Sequence, residues 1–250
     1  MSARSSAKNQ LPSARDGLAD DPSTAARALS HLIERSSRLQ APAVKAYVER
    51  LRDQKPDATP ADIVARLEKQ YLAAVMASGA AVGSAAAFPG IGTLAALSAV
   101  AGETVVFLEA TALFVLARAE VYGIPADHRE RRRALVLAVL VGEDSKHAIA
   151  DLLGSGRTSG AWLSEGAATL PLPAVSQLNS RLLRYFIKRY TLKRGAIAFG
   201  KLLPAGVGAV IGGVGNRHMG KKIVANARLA FGPPPPRWPA TLHVLPSARQ

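Results

Sequence analysis

The sequence predicts one all-α domain, about residues 23–232, with two apolar, glycine-striped helical hairpins at its centre and flexible ends. Apolar residues recur at helical spacing along most of the chain, between legible start and stop signals. No stretch alternates apolar and polar residues as a half-buried strand does, and no repeat of solenoid length is present. Two long segments are almost free of charge: 71–102 holds no charged residue and 195–215 holds only Lys201.

Residues 1–22 are polar and lack an apolar core of signal-peptide length, so they read as a disordered arm on a chain that stays inside the cell. Asp21 followed by Pro22 is an N-cap with proline at the first helical position. Helical periodicity then runs over 25–39. Pro42 opens a short helix with Val44, Tyr47, Val48 and Leu51 on one side. Thr59-Pro60-Ala61-Asp62 resembles a capping box with Asp in place of Glu, and the helix it starts passes through Ile63, Leu67 and Leu72.

The uncharged run YLAAVMASGAAVGSAAAFPGIGTLAALSAVAG follows. Phe88, Pro89, Gly90 and Ile91 must interrupt any helix and form a hairpin tip. The flanking pieces, 72–87 and 91–101, each fall short of the roughly 20 residues that span a bilayer. A hairpin, buried in protein or dipping into a membrane, fits them better. Gly79, Gly83 and Ala87 line up at helical spacing and allow close backbone approach.

A long apolar helix over 103–122 ends at Gly123 and Pro125. The next, 128–141, begins RERRR, against the preference of the helix dipole. Another covers 144–153 and stops at Gly154. A Gly/Ser/Thr-rich connection reaches 173. Helices over 175–203 and 205–231 follow, divided by Pro204. Gly232 and four prolines close the domain, and 233–250 reads as a Pro-rich flexible tail.

The chain carries 32 Lys/Arg against 18 Asp/Glu, a net charge of +14. Every acid lies at or before Glu165; 13 of the bases lie after it, so the first 165 residues net 19 − 18 = +1. This asymmetry points to an anionic partner: lipid headgroups, an acidic protein surface or nucleic acid. The absence of cysteine removes thiolate catalysis, disulfides and Cys-ligated metals.

Four constellations bear on chemistry. Gly215 to Lys221 reads G-N-R-H-M-G-K, but Lys222 stands where a P-loop needs Ser or Thr for Mg²⁺, and no strand precedes it. The glycines make better sense as a packing stripe: Gly208, Gly212 and Gly215 share one helix face, and Gly206, Gly213 and Gly220 another. Arg181, Arg184, Lys188 and Arg189 lie opposite an apolar stripe of Leu182, Leu183, Phe186, Ile187 and Tyr190. With Lys193 and Arg194 they form a candidate contact for an anionic surface. The same pattern describes a core-facing helix with a solvated basic face. Asp144, His147 and Asp151 share a helix face, yet lack the further ligands a helix-borne metal site needs. Glu103 and Glu109 sit in apolar sequence; they are functional candidates if the helix touches lipid, or partners for the surplus cations if it does not.

The chain resembles EcsC-family proteins. The resemblance rests on LAAVMASGAAVGSAAAFPGIG, on A-E-V-Y-G at 119–123 with the Arg-rich turn after it, and on KLLPAGVGAVIGGVGN at 201–216 leading to A-R-L-A-F at 227–231. These pieces stand in the family's order and cover roughly residues 45–232. The resemblance implies a helical, apolar protein linked to membranes or export. It carries no reaction and no catalytic residue onto this sequence.

The expected function is a non-enzymatic, membrane-associated accessory protein on the cytoplasmic side of the membrane. It would need no cofactor or metal and would engage anionic lipid or a membrane-protein partner through its cationic C-terminal half. A soluble helical binding protein for an apolar ligand or acidic partner is the alternative, and non-specific nucleic-acid binding ranks third. Self-association stays open.

Overall fold

A computed structural model describes residues 41–86, 93–124, 126, 128–143, 145, 163, 171–200 and 207–239. Within it, residue 41 and residues 82–86, 93–101, 187–200 and 207–213 are described as helical backbone alone. Among the described residues there are six α-helices and no strand: α1 (Ala41–Asp53), α2 (Pro60–Ala86), α3 (Thr93–Val121), α4 (Arg129–Val141), α5 (Leu172–Gly200) and α6 (Val207–Phe231). The described part is all-α.

The start of α2 is the expected capping box. The Thr59 backbone N–H donates to Asp62 Oδ2 at 2.9 Å, and the Asp62 N–H donates to Thr59 Oγ1 at 3.2 Å. Two donors left over at a helix start are thereby satisfied. Helix α3 differs from expectation. The pieces at 91–101 and 103–122 are one helix from Thr93 onward, with Gly102 inside it. A glycine costs a helix only about 1 kcal/mol against alanine, too little by itself to end a helix of this length. The expected tip at Phe88, Pro89, Gly90 and Ile91 lies outside the described residues, as do the helix expected over 25–39 and, apart from Ser145, the one expected over 144–153.

Helices α2, α3 and α6 form the centre, with α2 packed most extensively on α6 and then on α3. Contacts fix their directions. Near one level Asn216 of α6 meets Val75 of α2 and Glu103 of α3. Further along, Glu68 of α2 meets Arg118 of α3 and Arg228 of α6. Helix α2 therefore runs antiparallel to both partners. Between these levels the Tyr71 and Phe114 rings stack at 4.7 Å. Thr111 Oγ1 donates to Phe107 O at 2.7 Å, so the Tyr71 hydroxyl must be the donor in its 2.9 Å bond with Thr111.

The remaining helices dress this centre. Helix α1 rests on α3 through Val44, Val48 and Leu51. Helices α4 and α5 pair with each other. Asn179 of α5 donates to the Glu130 carbonyl at 3.0 Å and its carboxylate at 2.7 Å, in the first turn of α4. Buried Arg132 donates to Ala126 O at 2.8 Å, so one of the arginines at this start is spent on the preceding loop. At the far end Gly142, at φ 80°, sits under Asn226, which donates to Val139 O at 2.9 Å. A Cβ on Gly142 would lie 2.7 Å from the Asn226 amide nitrogen.

Residues 233–239, expected to belong to the flexible tail, make contacts with the helical part. Residues 232–239 lie along the helices as a strap. Trp238 Nε1 donates to Ala58 O at 3.1 Å, and the Arg52 guanidinium stands 4.2 Å above the indole. Pro239 packs so close to Gly123, at φ 66°, that a Cβ there would come within 2.6 Å of it. Four prolines in a row hold the strap extended without needing a backbone donor, and the amphipathic indole anchors it. The rest of the expected tail, 240–250, lies outside the described residues.

Candidate functional site

Two features could carry function, at different levels of the same three helices. The first is a cluster of charge around Glu68. It stands among Val64, Leu67, Tyr71 and Val75, all buried. Arg118 Nη1 donates to its Oε1 at 2.9 Å, and Arg228 donates to the same atom through Nε at 2.9 Å and to Oε2 through Nη2. Burial pushes the Glu68 carboxyl up. The hydrogen bonds and charge of Arg228, then those of Arg118, outweigh burial and hold it below the usual carboxylate range.

Arg118 is 1% exposed. Its Nη2 donates to the Tyr122 hydroxyl at 2.9 Å, and that hydroxyl donates to Gly232 O at 2.8 Å. The Tyr122 and Phe231 rings lie 5.3 and 5.5 Å from its guanidinium carbon. A cleft of about 550 Å³ opens beside the cluster. Its walls include Ala61, Val64, Leu229 and Pro233.

The second feature begins at the Asn216 junction. Asn216 is buried and donates through Nδ2 to Glu103 Oε1 at 2.7 Å and to Val75 O at 3.0 Å. Past this level α2 continues for eleven residues to Ala86, α3 has ten before Glu103, and α6 has nine before Asn216. Given the helix directions, these three stretches extend to the same side. None of their residues is charged. Within about a turn of the junction, each helix exposes a large apolar side chain: Met76, Val106 and Val214, the last 62% exposed. Immediately on the other side α6 presents Arg217, Lys221 and Lys222, all exposed. Among the described residues no helix is long and apolar enough to cross a membrane.

The residues singled out from sequence fall as follows. Arg181 and Arg184 are exposed on α5, while Leu182 and Phe186 of the opposite stripe are buried and Leu183 is half-buried. Over this described part, α5 is a core-facing helix with a basic outer face. Lys188, Arg189, Lys193 and Arg194 continue the same helix, their side chains beyond those described. Gly79 is buried in α2; Gly83 lies in α2, and Gly208 and Gly212 in α6.

Gly215 is a correction. Among the described residues a Cβ there would meet nothing within 4 Å, so it makes no close contact with any of them. Gly220, further along α6, does make one: a Cβ there would lie 2.9 Å from Val75 Cγ2 and 3.0 Å from Leu72 Cδ2. Of the two acids in apolar sequence, Glu109 is exposed and Glu103 is buried. Asp144, His147 and Asp151 lie outside the described residues, and among the described residues no group of three or more candidate ligands could hold a metal.

Sequence reasoning passed over Glu68, Arg118, Arg228 and Asn216. A signal existed for two of them. Arg118 is the one base between Lys69 and Arg129, and Glu68 interrupts an apolar helical stripe. Compared with known proteins, the chain matches no family model, no curated protein and no solved structure.

Proposed function

We propose that this protein is a non-enzymatic, peripheral membrane-associated protein that inserts the uncharged end of its three central helices part-way into an anionic membrane. The observation that carries the reading is the uncharged end itself, three helices wide, with Met76 and Val214 exposed at its base. Eleven helical residues beyond Val75 rise about 16 Å. Half the hydrocarbon thickness of a bilayer is about 15 Å. The end is long enough to enter one leaflet and too short to cross both.

Charge supports the same orientation. Arg217, Lys221 and Lys222 lie within two turns of Asn216, at the level of the headgroups when the uncharged end is immersed. The basic outer face of α5, with Arg181 and Arg184, adds to the attraction. The resemblance to EcsC-family proteins, which implies a link to membranes or export, agrees. Flotation with vesicles tests the reading: the protein is expected to float with anionic vesicles and to keep part of that binding in high salt, and Val214→Asp is expected to abolish it. Equal flotation of the Val214→Asp protein would overturn the insertion geometry.

A further inference from the structure

The cleft beside Glu68 has no part in membrane insertion. Glu68 lies seven residues from Val75 along α2, away from the uncharged end. That is roughly 10 Å on the side that faces solution when the end is immersed. Its charge does not balance. Two guanidiniums, Arg118 and Arg228, share the single Glu68 carboxylate among the described residues, which leaves one net positive charge beside apolar walls. Arg118 Nε is buried and has no hydrogen-bond partner among the described residues, and a buried charged donor left unmet is costly. The cleft, about 550 Å³, is of the size that holds small organic ligands.

We infer that this cleft binds a small amphiphile bearing one carboxylate. The carboxylate would sit against Arg228 and the edge of Arg118, restoring two anions to two cations. Planar guanidinium donors match a carboxylate in geometry and charge. The apolar body would lie along Ala61, Val64, Leu229 and Pro233, covering the 56%-exposed Leu229 side chain. The strap residues Gly232, Pro233 and Pro234 form one wall, so the occupied cleft would also tie the strap to the helices.

The inference does not rest on the membrane role, and one experiment separates them. The full chain is titrated calorimetrically, without vesicles, with decanoate, decanol and decyltrimethylammonium, each below its micelle concentration. Decanoate is expected to bind at one per chain, decanol at least tenfold more weakly, and the cation not at all. Arg228→Gln, at a side chain 66% exposed, is expected to fold and to weaken decanoate at least tenfold. Val214→Asp is expected to leave decanoate affinity unchanged. Absence of decanoate binding, equal binding of decanol, an indifferent Arg228→Gln, or loss of binding in Val214→Asp would each overturn the assignment. The last outcome would place the ligand at the uncharged end.

Discussion

Asn216 of α6 and Glu103 of α3, 113 residues apart in sequence, meet in a buried 2.7 Å hydrogen bond. The same amide donates to the Val75 carbonyl of α2. One side chain thus joins all three central helices where their charged and uncharged parts divide. Asn216→Ala is expected to cost about 1–3 kcal/mol, because it removes two hydrogen bonds from a buried site. Asn216→Asp should cost more at pH 7, since it sets a second carboxylate beside Glu103. Urea unfolding of the variants at pH 7 measures this. An Asp variant as stable as wild type at pH 7 would remove the junction from the account.

The Glu68 cluster should behave as a buried ion pair. Among the described residues Glu68 is the carboxylate that pairs with buried Arg118, so Glu68→Leu alone strands that guanidinium and is expected to destabilise by about 3–5 kcal/mol. The double change Arg118→Met with Glu68→Leu should restore much of the loss, because a well-packed apolar replacement of a buried pair is often close to neutral. Denaturant midpoints of the two variants against wild type check it.

The same cluster sets a pH dependence. Glu68 is held below its unfolded value, so it binds fewer protons in the native state than in the unfolded one. Its contribution is complete above the ordinary Glu value of about 4.3. It is lost as pH falls below that and through the lowered native value. Asp62, held down by its hydrogen bonds with Thr59, acts in the same direction. Glu68→Gln should be less stable than wild type at pH 7 and show a shallower acid decline. Melting temperatures between pH 7 and pH 3 report both.

Some helix ends were legible from sequence because their causes are local. Thr59 and Asp62 are three residues apart, and Gly123 and Gly232 stop their helices through their own backbone angles. The continuity of α3 through Gly102 was not legible, because a lone glycine weakens a helix only modestly and does not by itself mark a break. Nor was the link among Glu68, Arg118 and Arg228, which spans 160 residues and depends on the register of three helices. The glycine stripe was legible as a packing device, but not which glycine does the packing. That depends on the rotation of α6 against α2, which turns Gly220 onto Val75 and leaves Gly215 open.

That rotation separates two alanine variants. Gly215→Ala fills open space in a helix and should stabilise by up to about 1 kcal/mol. Gly220→Ala meets Val75 and Leu72 and should destabilise by about 1–3 kcal/mol, as overpacking does. Thermal unfolding of the pair, side by side, reads the sign of each.

Charge at the membrane is separable from insertion. Each Lys or Arg near an anionic surface contributes about 1 kcal/mol. Changing Arg217, Lys221 and Lys222 together to Gln should therefore weaken binding to anionic vesicles about a hundredfold at low salt. The same change should have little effect at high salt, where surface charge is screened. Titration with vesicles at two ionic strengths gives both figures.

The most direct measurement is flotation of the full chain with neutral and anionic vesicles, at low and high salt, beside the Val214→Asp protein. The account predicts that wild type floats with anionic vesicles, that part of this binding survives high salt, and that Val214→Asp remains at the bottom of the gradient while keeping wild-type helicity. Wild-type protein that stays at the bottom with every vesicle would contradict it.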